Sequence, residues 1–137
     1  MCSGRIYYDL TLSPMRADAS DVAIARVELL YPLPLDDILA VMARYPKLEQ
    51  CFWVQEEPAN LGAWNYLERR VGPRRPQQVR WDYIGRPRRA SSSEGYAGSH
   101  HLEQERIVRE ALGTSRVSPR GSAAPVGAAT EVPSRRS

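Results

Sequence analysis

No apolar stretch in this chain of 137 residues approaches the ~20 that a helix needs to span a bilayer, so no membrane segment is expected. The N-terminus lacks the basic-then-apolar layout of a signal peptide. Cysteine is scarce as well. Cys2 and Cys51 form neither a CxxC pair nor a zinc-like spacing, and a cytoplasmic chain carrying two thiols is the plain reading. Also missing are GxGxxG, GxxxxGK followed by Ser or Thr, GxSxG and HExxH. That leaves no dinucleotide-binding, P-loop, serine-hydrolase or zincin signature. What remains is one domain at most. Its 42% hydrophobic residues support a modest core, and its 26% charged residues suit a soluble chain.

The net charge of +3 is misleading until it is placed. Residues 113–137 hold Arg116, Arg120, Arg135 and Arg136 against Glu131 alone, so the first 112 residues balance to zero. The basic character belongs to the tail and says little about a partner of the domain. Fifteen of those twenty-five tail residues are Gly, Ser, Pro or Ala, with no hydrophobic period. Such a segment buries too little apolar surface to offset its ordering entropy, and it is expected to be disordered.

Residues 1–112 alternate between strand and helix patterns. "VAIARVE" (22–28) reads as a short Val/Ile-bearing strand, followed by the punctuating "YPLP". "LDDILAVMARY" places Ile38, Val41, Met42 and Tyr45 on one helical face, with Asp36 and Asp37 in its first turn. Pro46 predicts its end at Tyr45. "CFWV" (51–54) is a buried strand, and "GAWNYLERRV" is a helix with Leu67 and Val71 four apart. "VRWDYI" (79–84) alternates Val79, Trp81 and Tyr83, as a half-buried strand near an edge does. "HHLEQERIVREAL" closes the domain as a helix, its stripe made by Ile107/Ala111 and Val108/Leu112. This order predicts an α/β layer fold with parallel pairing. For "RIYYDLTL", propensity favours a strand over a helix opening after Ser3-Gly4.

Two constellations carry candidate chemistry. In "WVQEEPANLGAW" (53–64), Glu56 and Glu57 follow a strand and precede Pro58. Side chains of neighbouring strand residues leave on opposite faces, so both reach one substrate atom only if the backbone turns between them. One could face a cleft at the strand's C-terminal end, where open α/β sheets bind ligands. The preferred reading is structural: a Glu caps the next helix, since no third carboxylate or His lies nearby as a general acid. The second constellation is residues 69–89, with eight arginines against Asp82 alone, followed by "ASSSEG". Arginine forks with Ser/Gly amides suit a phosphate. Arg86 and the serines stand evenly between a phosphate site and a solvated basic loop, whereas Arg69 to Arg75 favour the loop. Aromatics do not interleave with these arginines, so nucleic acid is not expected. His100 and His101 do not share a helix face, which argues against a metal site and for a helix-start or surface role.

In their order, "CSGRIYYDL", "VAIARVELLYPLP", "FWVQEEPANLGAW" and "YIGRPRRASSSEGY" resemble the C-terminus of 2-oxoglutarate dehydrogenase. The resemblance is to its decarboxylating, thiamine-diphosphate-dependent first component and covers about residues 2–112. It implies a transketolase-C-terminal-like three-layer domain with a mostly parallel sheet, helping to build a homodimer. Thiamine diphosphate and magnesium would sit in the preceding domains of the parent enzyme, in line with the absence here of a GDG signature with its later Asn; this segment itself is expected to bind neither. The implied partners are the rest of that component and a lipoyl-bearing succinyltransferase. The resemblance makes "SGRIYYDL" a helix after a strand lying almost wholly upstream of Met1, so the expectation is a gene fragment, or a subunit needing the rest of the enzyme.

Some family members bind acetyl-CoA or AMP near this domain. By position, Arg86, Ser91, Arg26, Gln55 and Arg89 become effector candidates, while Glu56 and Glu57 become loop anchors. Departures bear on this. The family pattern GRPASAS reads GRPRRAS here, with Arg88 and Arg89 replacing a small residue and a serine; Leu29 and Leu61 stand where Gln is usual. These changes leave open an altered effector site and a phosphate site strengthened by Arg89. A 2-oxoadipate-type relative and a stand-alone nucleotide-binding or interaction module remain the alternatives.

Overall fold

The apolar run around Trp53 forms β1 (Gln50–Pro58), and its alternation divides the molecule in two. Phe52 and Val54 join one core cluster, Cys51 and Trp53 the other, because successive strand side chains point to opposite faces. The computed structural model describes residues 1–90 and 97–113. Within them, β2 (Arg80–Arg86) lies parallel to β1, in register from Gln50↔Arg80 to Val54↔Ile84. Beyond Val54 the register shifts, and Pro58 opposes Arg86. The extra residues on β1 bend the strand at the place where the candidate carboxylates sit.

A parallel pair needs a crossover, and α3 (Trp64–Val71) lies within it. Leu67 and Val71 are buried with Trp53, as is the Ile38–Met42 stripe of α2 (Leu35–Ala43). The acidic first turn of α2 suits the positive end of the helix dipole. This helix ends at Ala43, two residues before Tyr45, which stays exposed. Pro46 disfavours helical geometry at the residue before it, and the last turn closes early. The opposite face is covered by α1 (Ile6–Thr11) and α4 (Ala97–Gly113). Ile6 and Leu10 meet Ile107, Val108, Ala111 and Leu112 there, against Val54 and Ile84. Helices on both faces of a parallel pair give the expected α/β layering.

Two expectations from propensity are corrected. "RIYYDLTL" supplies α1, a helix: Ile6 and Leu10 stand four apart and are both buried, and that burial outweighs the strand preference of Ile and Tyr. Gly4, at φ +68°, turns the chain into this helix in a conformation that disfavours a side chain. "VAIARVE" forms no full strand. Its one ladder partner among the described residues is Cys2, opposite Arg26, and Cys2 in turn opposes Val54. Arg26, Cys2, Val54 and Ile84 thus make one row across four chain segments. The Cys2 N–H donates to Ala25 O at 3.0 Å, and Val27 N–H to Cys2 O at 2.8 Å. The expected disorder of the tail concerns residues that, from 114 on, lie outside those described.

Ile107 is fully buried between the sheet and α1. Ile107→Ala is expected to destabilise the chain by about 2–5 kcal/mol, read as a lower urea midpoint at unchanged m.

Candidate functional site

Because β1 and β2 are parallel, their C-terminal ends share one edge of the sheet, the edge where open α/β folds hold ligands. The central side chain there is Gln55, 3% exposed. Its Oε1 accepts from Trp53 Nε1 at 2.8 Å, Trp64 N at 3.0 Å and Ala63 N at 3.2 Å. Its Nε2 donates to Leu61 O at 2.8 Å and to Glu57 O and Pro58 O at 3.2 Å. One amide therefore closes the loop from β1 to α3 and caps the N-terminus of α3, the role that the sequence reading gave to a glutamate. An Asn, Asp or Ser at the usual cap position is absent; Ala63 stands there. Gly62 completes the loop at φ +66°, and a Cβ on it would meet Gln55 Nε2 at 2.9 Å.

The two glutamates part, as strand geometry requires. Glu56 turns toward α1 and α4, where Gln104 Nε2 donates to its Oε1 at 3.0 Å and to Asp9 Oδ2 at 2.7 Å. Glu57 is exposed, and its main-chain oxygen accepts from Tyr83 Oη at 2.8 Å. The same hydroxyl lies 2.9 Å from Arg86 O, so its one proton is shared between two carbonyls. Burial, and then the Glu57 carboxylate, push the Tyr83 phenol up to about 12. Glu56 and Glu57 do not meet as an acid/base pair.

Arg86 is the buried cation of this edge, 4% exposed. Its guanidinium donates to Glu56 O and lies 2.9 Å from His100 Nδ1, which ties the end of β2 to the start of α4. Arg106 reinforces that junction from α4, donating to Gly85 O at 2.9 Å while pairing with Glu103 and Glu110. These hydrogen bonds to Arg106 hold the Glu103 carboxyl below its usual range. Arg89 joins through its backbone: its N–H donates to Asn60 Oδ1 at 2.9 Å, and Asn60 Nδ2 donates to Arg89 O at 2.8 Å. The Arg89 side chain is left exposed.

Arg26 lies elsewhere along the same edge. It pairs with Glu28 at 3.0 Å, donates to Tyr8 Oη at 3.2 Å, and sits 5.1 Å from the ring centroids of Tyr7 and Tyr8. Ser91 lies outside the described residues. The structure thus brings Arg86, Gln55, Glu56 and the Arg89 backbone together around one loop junction, and α1 carries both Tyr8, which meets Arg26, and Asp9, which meets Gln104. Arg70, Arg74 and Arg75 serve the end of α3. Arg70 covers the Tyr66 ring at 4.0 Å, Arg74 donates to Arg70 O, and Arg75 Nε donates to Val79 O at 2.7 Å. Burial raises both thiols above their ordinary values, which makes them poor nucleophiles. What gathers at the edge is fixed charge and amide groups, an arrangement for holding polar groups in place. Gln104 was not singled out from sequence, because its partners lie 48 and 95 residues away.

Comparison with known proteins adds to this geometry. Residues 1–112 match the family model described as 2-oxoglutarate dehydrogenase C-terminal. A "2-oxoglutarate dehydrogenase E1 component" of Bacillus licheniformis is 44% identical over 114 residues, covering 82% of this chain and 12% of that protein. Proteins of the same name from Geobacillus kaustophilus and Haemophilus influenzae are 44% identical over 111 residues and 39% over 112, with coverage of 80% and 82% of this chain. The chain spans about 12% of the length of these curated relatives.

Gln55→Leu should cost at least about 3 kcal/mol in urea unfolding, since it strands Trp53 Nε1 and several loop groups together. Glu56→Ala should cost less than about 1.5 kcal/mol, because the partly exposed Gln104 keeps Asp9. The raised Tyr83 phenol gives a pH signature. Its contribution is fully present below pH 10, the ordinary tyrosine value, and is lost as pH rises through about 12. Over that interval the thermal midpoint of the parent chain should fall more steeply than that of Tyr83→Phe.

Proposed function

The chain belongs to the 2-oxoglutarate dehydrogenase C-terminal family, and on that premise we propose that it works as the C-terminal part of a 2-oxoglutarate dehydrogenase first component. The match over residues 1–112, at 39–44% identity to proteins of that name, carries the reading. The activity proposed for the assembled enzyme is oxidative decarboxylation of 2-oxoglutarate, with succinyl transfer to a lipoyl-bearing succinyltransferase, as a step of the tricarboxylic acid cycle. Thiamine diphosphate would supply the carbanion that attacks the 2-oxo carbon. Among the described residues no group of three His, Cys, Asp or Glu side chains is placed to hold a metal ion. The described residues therefore offer no ligand set for the magnesium that accompanies that cofactor. Its binding is assigned to other parts of the enzyme.

The role of this segment is then architectural and, at the sheet edge, regulatory. Parallel strands with helices on both faces fit a transketolase-C-terminal-like layer. Exposed apolar side chains on α1 (Tyr8), just past its end (Leu12) and in the segment after Val27 (Leu29 and Tyr31) supply a surface for homodimer formation. Arg86 and Arg26, both at the C-terminal edge, and the exposed Arg89 side chain are the groups for an acetyl-CoA or AMP phosphate, with Ser91 as a further donor. Gln55 contributes by holding the loop rather than by touching a ligand. No helix among the described residues is long and apolar enough to cross a membrane, and a cytoplasmic location is the proposal in keeping with that.

The direct test is a chimera in which residues 1–112 replace the matching region of the Bacillus licheniformis relative. Oxidation of 2-oxoglutarate at a rate near the parent's is expected. A soluble dimer of that chimera without activity would count against the reading. In an active chimera, Arg86→Ala is expected to weaken acetyl-CoA or AMP binding about tenfold or more, the scale of a lost charge-assisted contact. Unchanged affinity by calorimetry would remove Arg86 from the effector site.

A further inference from the structure

Strand β2 has one edge against β1 and a second edge that no described strand pairs with. The register fixes the direction of its peptide groups. Arg80 N–H donates to Glu49 O at 2.8 Å, so the peptide groups of Arg80, Asp82 and Ile84 face β1. Alternate residues of a strand present their N–H and C=O to the same side, so those of Val79, Trp81, Tyr83 and Gly85 face outward. An outward row of this kind is a template for another strand, and an unguarded one invites edge-to-edge association.

Here the row is interrupted from within the chain. Val79 N–H donates to Pro76 O at 3.0 Å, and Val79 O accepts from Arg75 Nε at 2.7 Å. Tyr83 N–H donates to Oδ1 of its neighbour Asp82 at 2.8 Å. Gly85 O accepts from Arg106 Nη2 at 2.9 Å. Among the described residues, Trp81 is the one outward position whose N–H and O are both left open. Beside Gly85, Arg88, Glu103, Arg106 and Arg109 wall a depression, so charge stands where an added strand would pass. A strand in a ladder offers a donor and an acceptor at every second residue. With Tyr83 N–H held by Asp82, β2 offers both at Trp81 alone, which is too little for a ladder.

We propose that Arg75, Asp82 and Arg106 are edge guards, which close the outer edge of β2 to strand addition by a second copy of this chain. A second copy is the partner to exclude because its β2 presents the same row, and two such rows match when they run antiparallel about a two-fold axis. Asp82 is the decisive guard. It lies exposed in the middle of the row. Its removal leaves the N–H and O of Trp81 and of Tyr83 as one continuous stretch. Asp82 acts as an acceptor, so the side-chain carbonyl of Asn would serve in its place. The proposal rests on these bonds and does not depend on the reaction proposed above.

The test uses the full 137-residue chain with a nitroxide attached through Arg80→Cys, at an exposed position of β2. Cys2 and Cys51 are buried and leave that position as the accessible thiol. Dipolar broadening of the nitroxide spectrum reports β2 edges lying side by side, whichever other faces of the chain meet. Sedimentation velocity follows self-association in the same samples. No broadening is expected in the parent or in Asp82→Asn. Asp82→Thr removes the acceptor and adds a strand former. It should broaden the spectrum and tighten self-association about tenfold or more, the scale of two regained hydrogen bonds. Asp82→Ala also lacks an acceptor and should behave likewise. Broadening in the parent would overturn the proposal, as would its absence in folded Asp82→Thr or folded Asp82→Ala. Equal broadening in Asp82→Asn and Asp82→Thr would overturn it too, because charge rather than the capped N–H would then guard the edge.

Discussion

Strand β1 has to satisfy four sides at once, and the structure is organised around that demand. Its peptide groups need partners on two edges, and its alternating side chains need cover on two faces. β2 takes one edge. Met1 and Cys2 take the upper part of the other. α1 and α4 cover Phe52 and Val54, while α2 and α3 cover Cys51 and Trp53. Each of these helices buries one face because it closes one of these sides.

The end of β1 carries the consequence for function. Where the register slips between Val54 and Pro58, the strand stops being a ladder and becomes a junction. Gln55 turns inward and holds the loop, Glu56 turns to Gln104 and Asp9, and Glu57 faces solvent. Arg86 then ties the ends of both strands to α4. Two adjacent carboxylates between tryptophans looked like a catalytic pair in one dimension. In three they are separated by a buried amide network whose work is to hold backbone in place. That separation suits the supporting role proposed for this domain.

Some elements were legible because their signal is local. Leu67 with Val71, Ile38 with Met42, and Ile107 with Ala111 stand at helical spacing, and each of these pairs is buried. Trp81 and Tyr83 alternate in a half-buried strand at the edge of the described pair, as their pattern suggests. Other elements were not legible, because their signal is a competition. In "RIYYDLTL" the intrinsic strand preference of Ile and Tyr lost to the burial of Ile6 and Leu10 against α4. In "VAIARVE" the apolar composition is that of a strand, yet a strand is made by its neighbours, and the pairing there is confined to Arg26 with Cys2.

The sequence by itself determined the order of most elements, the apolar stripe of the three longer helices and, through the resemblance carried by its motif blocks, the family. These depend on spacing and residue type, which are properties of the chain alone. Only the tertiary structure decided which side chain did which task at the sheet edge. Gln55 rather than a glutamate caps α3, and Gln104 joins Asp9 to Glu56, because those bonds close over 8 to 95 residues of separation. No local pattern encodes such pairings. They arise when two parallel strands bring their ends to one edge and burial favours a partner for each polar group gathered there.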